Sequence, residues 1–280
     1  MRNTPMILVA ATLLASSAQA QIVQSGTGAA ATAARDAFRV DLGGGAVAGA
    51  NGSFGGVRRE INWDGVPNGF AAPNLLPANF FNVNSPRGAV FGTPGTGFAV
   101  SANSGLATPV EFGDINPTYP GLVAAFSPQR LFTAIGSNVM DVNFFLPGTT
   151  TPALTRGFGV VFSDVDLAAT TSIQLFNLSN TSLGTFFAPG VLGANETFSF
   201  LGVSYADARI ARVRITSGNA ALGAGVNETP TRDLVVMDDF LFGEPTRAPV
   251  PEPASWALMI SGFALAGAAL RRRFRINVPV

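Results

Sequence analysis

The residues best placed to do chemistry are four aspartates. Asp164 and Asp166 stand two apart just after the apolar run Phe158–Phe162, and Asp238-Asp239 interrupt the otherwise apolar stretch Leu234–Phe242. A carboxylate taken out of water without a compensating charge or hydrogen bond is costly. This placement therefore calls for an arginine, backbone N–H groups or a cation. Calcium takes roughly six to eight oxygen ligands, which aspartates and nearby carbonyls supply. Asp164, Asp166, Asp238 and Asp239 are thus the candidate metal ligands, with calcium as the candidate cofactor. Pairing with Arg212, Arg214 or Arg232, or hydrogen-bonded turns, would meet the same need. Trp63, within Ile61-Asn62-Trp63-Asp64-Gly65, is the candidate carbohydrate-binding residue, with an extracellular polysaccharide as partner; the competing reading is a half-buried core tryptophan. Glu60 with Asp64, or Glu111 with Asp114, would be the carboxylate pairs of a glycosidase, which needs two such groups about 5–10 Å apart. Acidic residues at loop edges are ordinary, however.

What the chain lacks narrows the chemistry further. It has no Cys, no His and no Lys, so all seventeen basic residues are Arg. A disulfide framework, a thiolate nucleophile and a Cys-ligated zinc are excluded, and so are a Ser-His-Asp triad and His-ligated metals. Acid–base work would fall to Asp, Glu, Tyr or Arg. Residues 21–250 hold twelve Arg against sixteen Asp plus Glu, a balance of −4, which argues against nucleic acid as a partner.

The elements that would carry these residues read as strands. Met140, Val142, Phe144 and Leu146 alternate with Val139, Asp141, Asn143 and Phe145, and period-two patterns recur in Phe158–Phe162, Ile173–Leu175, Phe198–Phe200 and Ala211–Ile215. Turn residues separate them at Pro147-Gly148, Asn177–Asn180, Pro189-Gly190 and Ser217-Gly218-Asn219. Met237 and Phe240 flank the Asp pair three apart, which breaks strict alternation and predicts a bulge. The segment Gly52–Asp64 reads as a further strand region, and 65–130, rich in Pro, Gly and Asn, as long loops. With no convincing helix away from the two ends, the fold class is all-β: an antiparallel β-sandwich of jelly-roll type. The final-strand pattern resembles that of calcium-stabilised carbohydrate-binding sandwiches.

Both ends read as targeting segments. Arg2, the apolar run Met6–Ala15 and Ala18-Gln19-Ala20 make a signal peptide over 1–20, with Ala18 and Ala20 as the signal peptidase site. Residues 21–35 read as a flexible lead-in, 36–244 as the sandwich, and 245–253 as a Pro-rich spacer. The stretch 254–270 is then expected as a transmembrane helix about 25 Å long, a little short of a typical hydrocarbon core. Residues 271–280 follow as a basic tail, cytoplasmic by the positive-inside rule. Pro251-Glu252-Pro253, the helix and Arg271-Arg272-Arg273, in that order, resemble the PEP-CTERM sorting signal. The extension Phe274–Val280 departs from that pattern, since such tails often stop soon after the basic residues. The resemblance implies an exosortase-type membrane protease as partner and passage from inner membrane to cell surface or exterior; an uncut C-terminal anchor is the competing reading. The chain is accordingly expected to be an exported, non-enzymatic surface or extracellular-matrix protein. A calcium-assisted carbohydrate-binding module and a carboxylate-dependent glycoside hydrolase stand as alternatives.

Overall fold

The computed structural model describes residues 21–45, 53–248 and 254–274. They form two units, one ending at Thr246 and one beginning at Arg247.

The first unit is built from two antiparallel sheets around a shared core. The chain opens with β1 (Gln21–Thr27) and α1 (Ala29–Leu42), followed by β2 (Ser53–Phe54), β3 (Arg58–Ile61) and the single helical turn α2 (Phe80–Val83). Then come β4 (Ala89–Gly92), β5 (Gly97–Val100), β6 (Phe132–Ile135), β7 (Val139–Phe144), β8 (Gly157–Ser163), β9 (Ser172–Phe176), β10 (Ser182–Phe187), β11 (Phe198–Tyr205), β12 (Arg212–Thr216) and β13 (Val236–Gly243). The eight-stranded sheet runs β1-β11-β8-β13-β3-β2, with β6 also on β13 and β5 on β6. The five-stranded sheet runs β10-β9-β12-β7-β4.

Period-two patterning places the core. Met140, Val142 and Phe144 of β7, Ile173 and Leu175 of β9, and Val213 and Ile215 of β12 meet Phe158, Val160, Phe162, Phe240 and Phe242 of the larger sheet in one cluster. In the small sheet the alternation is clean, because its other face is wet: β7 alternates half-buried and buried residues throughout. In the larger sheet β8 and β13 are buried at every position. Their outer face is covered twice, by α1 over Val161, Phe200 and Leu241, and by loop residues Phe112, Tyr119, Leu122 and Leu222 against Val236.

Two expectations are corrected here. Residues 21–35 are not a flexible lead-in: β1 pairs with β11 over seven residues, and α1 follows after Gly28. The absence of internal helices also fails at α1, whose Ala31, Ala34, Phe38 and Leu42 make an apolar stripe at helical spacing. The small alanines hide that stripe from a search for bulky residues. The sandwich unit consequently begins before residue 36, and it reaches Thr246, which exchanges backbone hydrogen bonds with Leu154. The anticipated bulge is present: pairing of β13 with β8 shifts register between Met237 and Phe240.

The second unit contains α3 (Ala254–Phe274), whose last turn holds Arg271–Arg273. Among the described residues no helix is long and apolar enough to cross a membrane. The stretch 254–270 is seventeen residues, ten of them Ala, Gly or Ser, so it is both short and diluted. The expected transmembrane helix therefore stands as a helix without a demonstrated span.

Candidate functional site

The four aspartates proposed as one metal centre fall into two separate settings. Among the described residues no three acidic side chains form a ready-made metal centre.

Asp238 and Asp239 occupy the β13 bulge, where protein donors already serve them. Asp238 Oδ2 accepts the N–H groups of Phe126 (2.6 Å) and Ser127 (3.1 Å). The Ser127 hydroxyl lies 3.0 Å from Asp238 Oδ1 and 2.8 Å from Asp239 Oδ1. Arg35, on α1, reaches Asp239 at 3.5 Å. Burial, then the charge of Asp239, pushes Asp238 well above the usual carboxylate range. Asp239 is raised by burial, against pulls from Ser127, Arg35 and Arg39. A hydroxyl has one hydrogen and can donate to only one of the two acids. A protonated Asp238 donating to Ser127, with Ser127 donating to an ionised Asp239 beside Arg35, satisfies every member of the chain. These residues are answered by backbone and arginine, so Asp238 and Asp239 are withdrawn as metal ligands.

Asp164 and Asp166 lie beyond the C-terminal end of β8, where antiparallel pairing brings them beside the chain entering β13. Two residues absent from the sequence-based set join them there, Glu228 and Asp233. Asp233 is well served: its Oδ1 accepts the Asp166 N–H at 3.1 Å, and its Oδ2 the Leu167 N–H at 3.4 Å and the Thr170 hydroxyl. Asp164 is not. It is fully buried, and neither of its carboxylate oxygens has a hydrogen-bond partner. Burial first, then the charges of Glu228, Asp166 and Asp233, push it up to about 8. The nearby Glu196 N–H pulls the other way, but it is committed to the Leu122 carbonyl at 2.8 Å. Glu228 is pushed up to about 7, again by burial first, although Leu234 donates its N–H to Oε2 at 3.0 Å. No donor reaches Asp166 Oδ1 or Glu228 Oε1, both buried, and these two acids can bond each other only by sharing a proton.

Trp63 is not a stacking surface. It is 1% exposed, stacked on Phe132 at 3.9 Å between centroids, with Phe240 edge-on. Its indole N–H donates to the Asp238 carbonyl at 2.7 Å. That bond ties the β13 bulge to Trp63, whose backbone lies at φ 66°. Of the proposed glycosidase pairs, Glu60 with Asp64 is held by its neighbours, whereas burial pushes Glu111 and Asp114 above the usual carboxylate range. Glu60 is gripped by Arg39 (2.8 and 2.9 Å) and Arg58 (2.8 Å), and Asp64 Oδ1 accepts the N–H groups of Gln129 and Arg130. A cavity of about 310 Å³ beside Leu75, Ile115, Ile135 and Leu222 is largely apolar and lined by a single carboxylate, Asp114.

At the C-terminal unit, the sorting residues Pro251, Glu252 and Pro253 lie outside the described residues, as do Ala18 and Ala20 and the rest of the expected signal peptide. Ile260, Phe263, Leu265 and Leu270 of α3 are exposed. A family model for the PEP-CTERM protein-sorting motif matches residues 249–273, so the tail carries that motif. No curated protein matches the chain.

Proposed function

We propose that this is an exported surface or extracellular-matrix protein without catalytic activity, sorted through its tail by an exosortase-type protease. The observation that carries the reading is the sorting motif at 249–273, which begins just after the compact unit ends at Thr246. A cut there would release the β-sandwich unit whole. Pairing of β1 with β11 runs from Gln21 to Thr27, so a chain cut after Ala20 would keep it all. From β6 to β13 the chain changes sheet at every step except the β9–β10 hairpin, and the orders β6-β13-β8-β11 and β7-β12-β9-β10 are those of a jelly roll, which supports that finer reading of the sandwich.

The committed state of Glu60 and Asp64 favours a non-enzymatic role over the hydrolase alternative. Burial of Trp63 removes the aromatic platform from the carbohydrate-binding alternative. The test is to express the full chain in cells with and without the protease and to identify its C-terminal peptides by mass spectrometry. Cleavage near Pro251–Pro253 is expected only where the protease is present. Full-length C-termini in both strains would refute the reading.

A further inference from the structure

We infer that the cluster of Asp164, Asp166 and Glu228, at the junction of β8 and the chain entering β13, is a calcium site. An acidic cluster alone would not justify this. The deciding observation is Asp164, whose side chain is shut away from solvent with both oxygens unpartnered. It faces Glu228 and Asp166, each with one buried oxygen that no donor reaches. Four carboxylate oxygens without a donor in one place contrast with the Asp238–Asp239 pair, where donors reach both acids. Buried polar groups are ordinarily bonded, and a cluster of orphans asks for a missing partner.

The chemistry of the donors selects the ion. All are carboxylate oxygens, the hard ligands of calcium and magnesium, and a chain without His or Cys offers no imidazole or thiolate. Among the described residues no arginine forms an ion pair with Asp164, Asp166 or Glu228. The three side chains do not yet surround one point, and the ion must draw them together. Glu228 is half-buried in the loop between β12 and β13 and has a long side chain, so it is the ligand able to move. Such adaptable coordination suits calcium, which accepts irregular shells, better than magnesium, which demands near-ideal octahedra. Asp233 has a positioning role: by accepting the Asp166 and Leu167 N–H groups it fixes the turn that presents Asp164 and Asp166.

The test uses the purified full chain, stripped with chelator and titrated with calcium chloride, with binding followed by calorimetry and stability by thermal melt. A ligand of the folded state at about 100 times its Kd should raise the melting midpoint of a domain this size by roughly 5–10 °C. Asp164→Asn and Glu228→Gln should each abolish the rise, while the surface substitution Asp207→Asn should leave it intact. Should Asp164→Asn fail to fold, Glu228→Gln, checked by circular dichroism, decides the matter. No heat and no shift in the wild type up to millimolar calcium would overturn the proposal. A shift that survives both substitutions would overturn it too, by locating the ion elsewhere. An equal response to magnesium would overturn the choice of calcium.

Discussion

At the scale of single residues, the same acid does opposite things depending on what its neighbours donate. Asp238 is as buried as Asp164, yet two backbone N–H groups and a serine surround it. Those donors suit a neutral acid as well as an anion, because Ser127 can accept from Asp238 while donating to Asp239. Asp238→Asn is therefore expected to stay within about 1 kcal/mol of wild type near neutral pH, with its amide oxygen accepting the two N–H groups and its NH₂ donating to Ser127. Asp238→Ala leaves both N–H groups without an acceptor and should cost about 2–5 kcal/mol in urea unfolding. The sign of the pH effect follows from the raised folded value. A carboxyl raised by folding contributes stability in full below its unfolded value and loses it as pH rises through the folded one. The other charged groups facing Asp238 are Asp239 and, beyond it, Arg35, Arg39 and Glu60. Wild type should thus weaken on the alkaline side, where Asp164 and Glu228, raised to about 8 and about 7, add to the decline, and Asp238→Asn should flatten it in part. A decline of equal slope in the variant would show that those other groups account for all of it. The sequence made the Asp pair conspicuous and its bulge predictable, but it carried no sign that Phe126 and Ser127, over a hundred residues away, would serve it.

Elements explain why the strands were easier to read than the helix. Wherever one face of a strand is wet, as in β7, alternation exposes the core directly. Where both faces are covered, as in β8, the pattern dissolves into an apolar run, and only the covering element explains it. That element is α1, and its seat is a pair of glycines. Gly159 of β8 lies opposite Gly202 of β11, and the Phe38 ring rests on both. A Cβ at Gly202 would stand 2.7 Å from Phe38 Cδ2, and one at Gly159 would stand 2.8 Å from Phe38 Cε1. Gly202→Ala is accordingly expected to destabilise by about 1–3 kcal/mol, the usual range for overpacking. The same change in a Phe38→Ala background should cost less, since the closest clash is removed and only that with the Phe200 ring at 2.9 Å remains, giving a coupling of about 0.5–3 kcal/mol in a double-mutant cycle. Additive effects would mean that α1 does not sit on these glycines. Nothing in the sequence sets Gly159 against Gly202; only strand pairing reveals them as a floor for an aromatic ring. Glu228 and Asp233 escaped notice for the same reason. They precede the last strand in sequence, and only the antiparallel register of β8 with β13 brings them to Asp164.

At the scale of the whole molecule, the question is where the folded unit stops and the sorting tail begins. Strand patterning alone ends the sandwich at β13, but three further residues are tied in after it. The Glu244 N–H donates to the Val57 carbonyl at 2.9 Å, and its carboxylate grips Arg59 at 2.7 and 2.8 Å. Pro245 packs at Gly88, and Thr246 and Leu154 exchange backbone bonds of 2.8 and 2.9 Å. Pro245 and Thr246 read as spacer because a proline tract has no pattern that reports a lone bridge. A chain ended after Ala248 should therefore melt within about 2 °C of one carrying the whole tail. A chain ended after Gly243 loses a forked ion pair and three backbone hydrogen bonds, a loss of about 3–6 kcal/mol at ordinary values. At roughly 2–4 °C per kcal/mol for a domain of this size, its midpoint should fall by on the order of 10 °C or more. Matching melts for the two truncations would place the boundary at β13 and make Glu244–Thr246 part of the spacer. A fall confined to the shorter chain would mean that proteolysis within 249–253 leaves every stabilising contact of the β-sandwich unit behind with it, as release of an intact module requires.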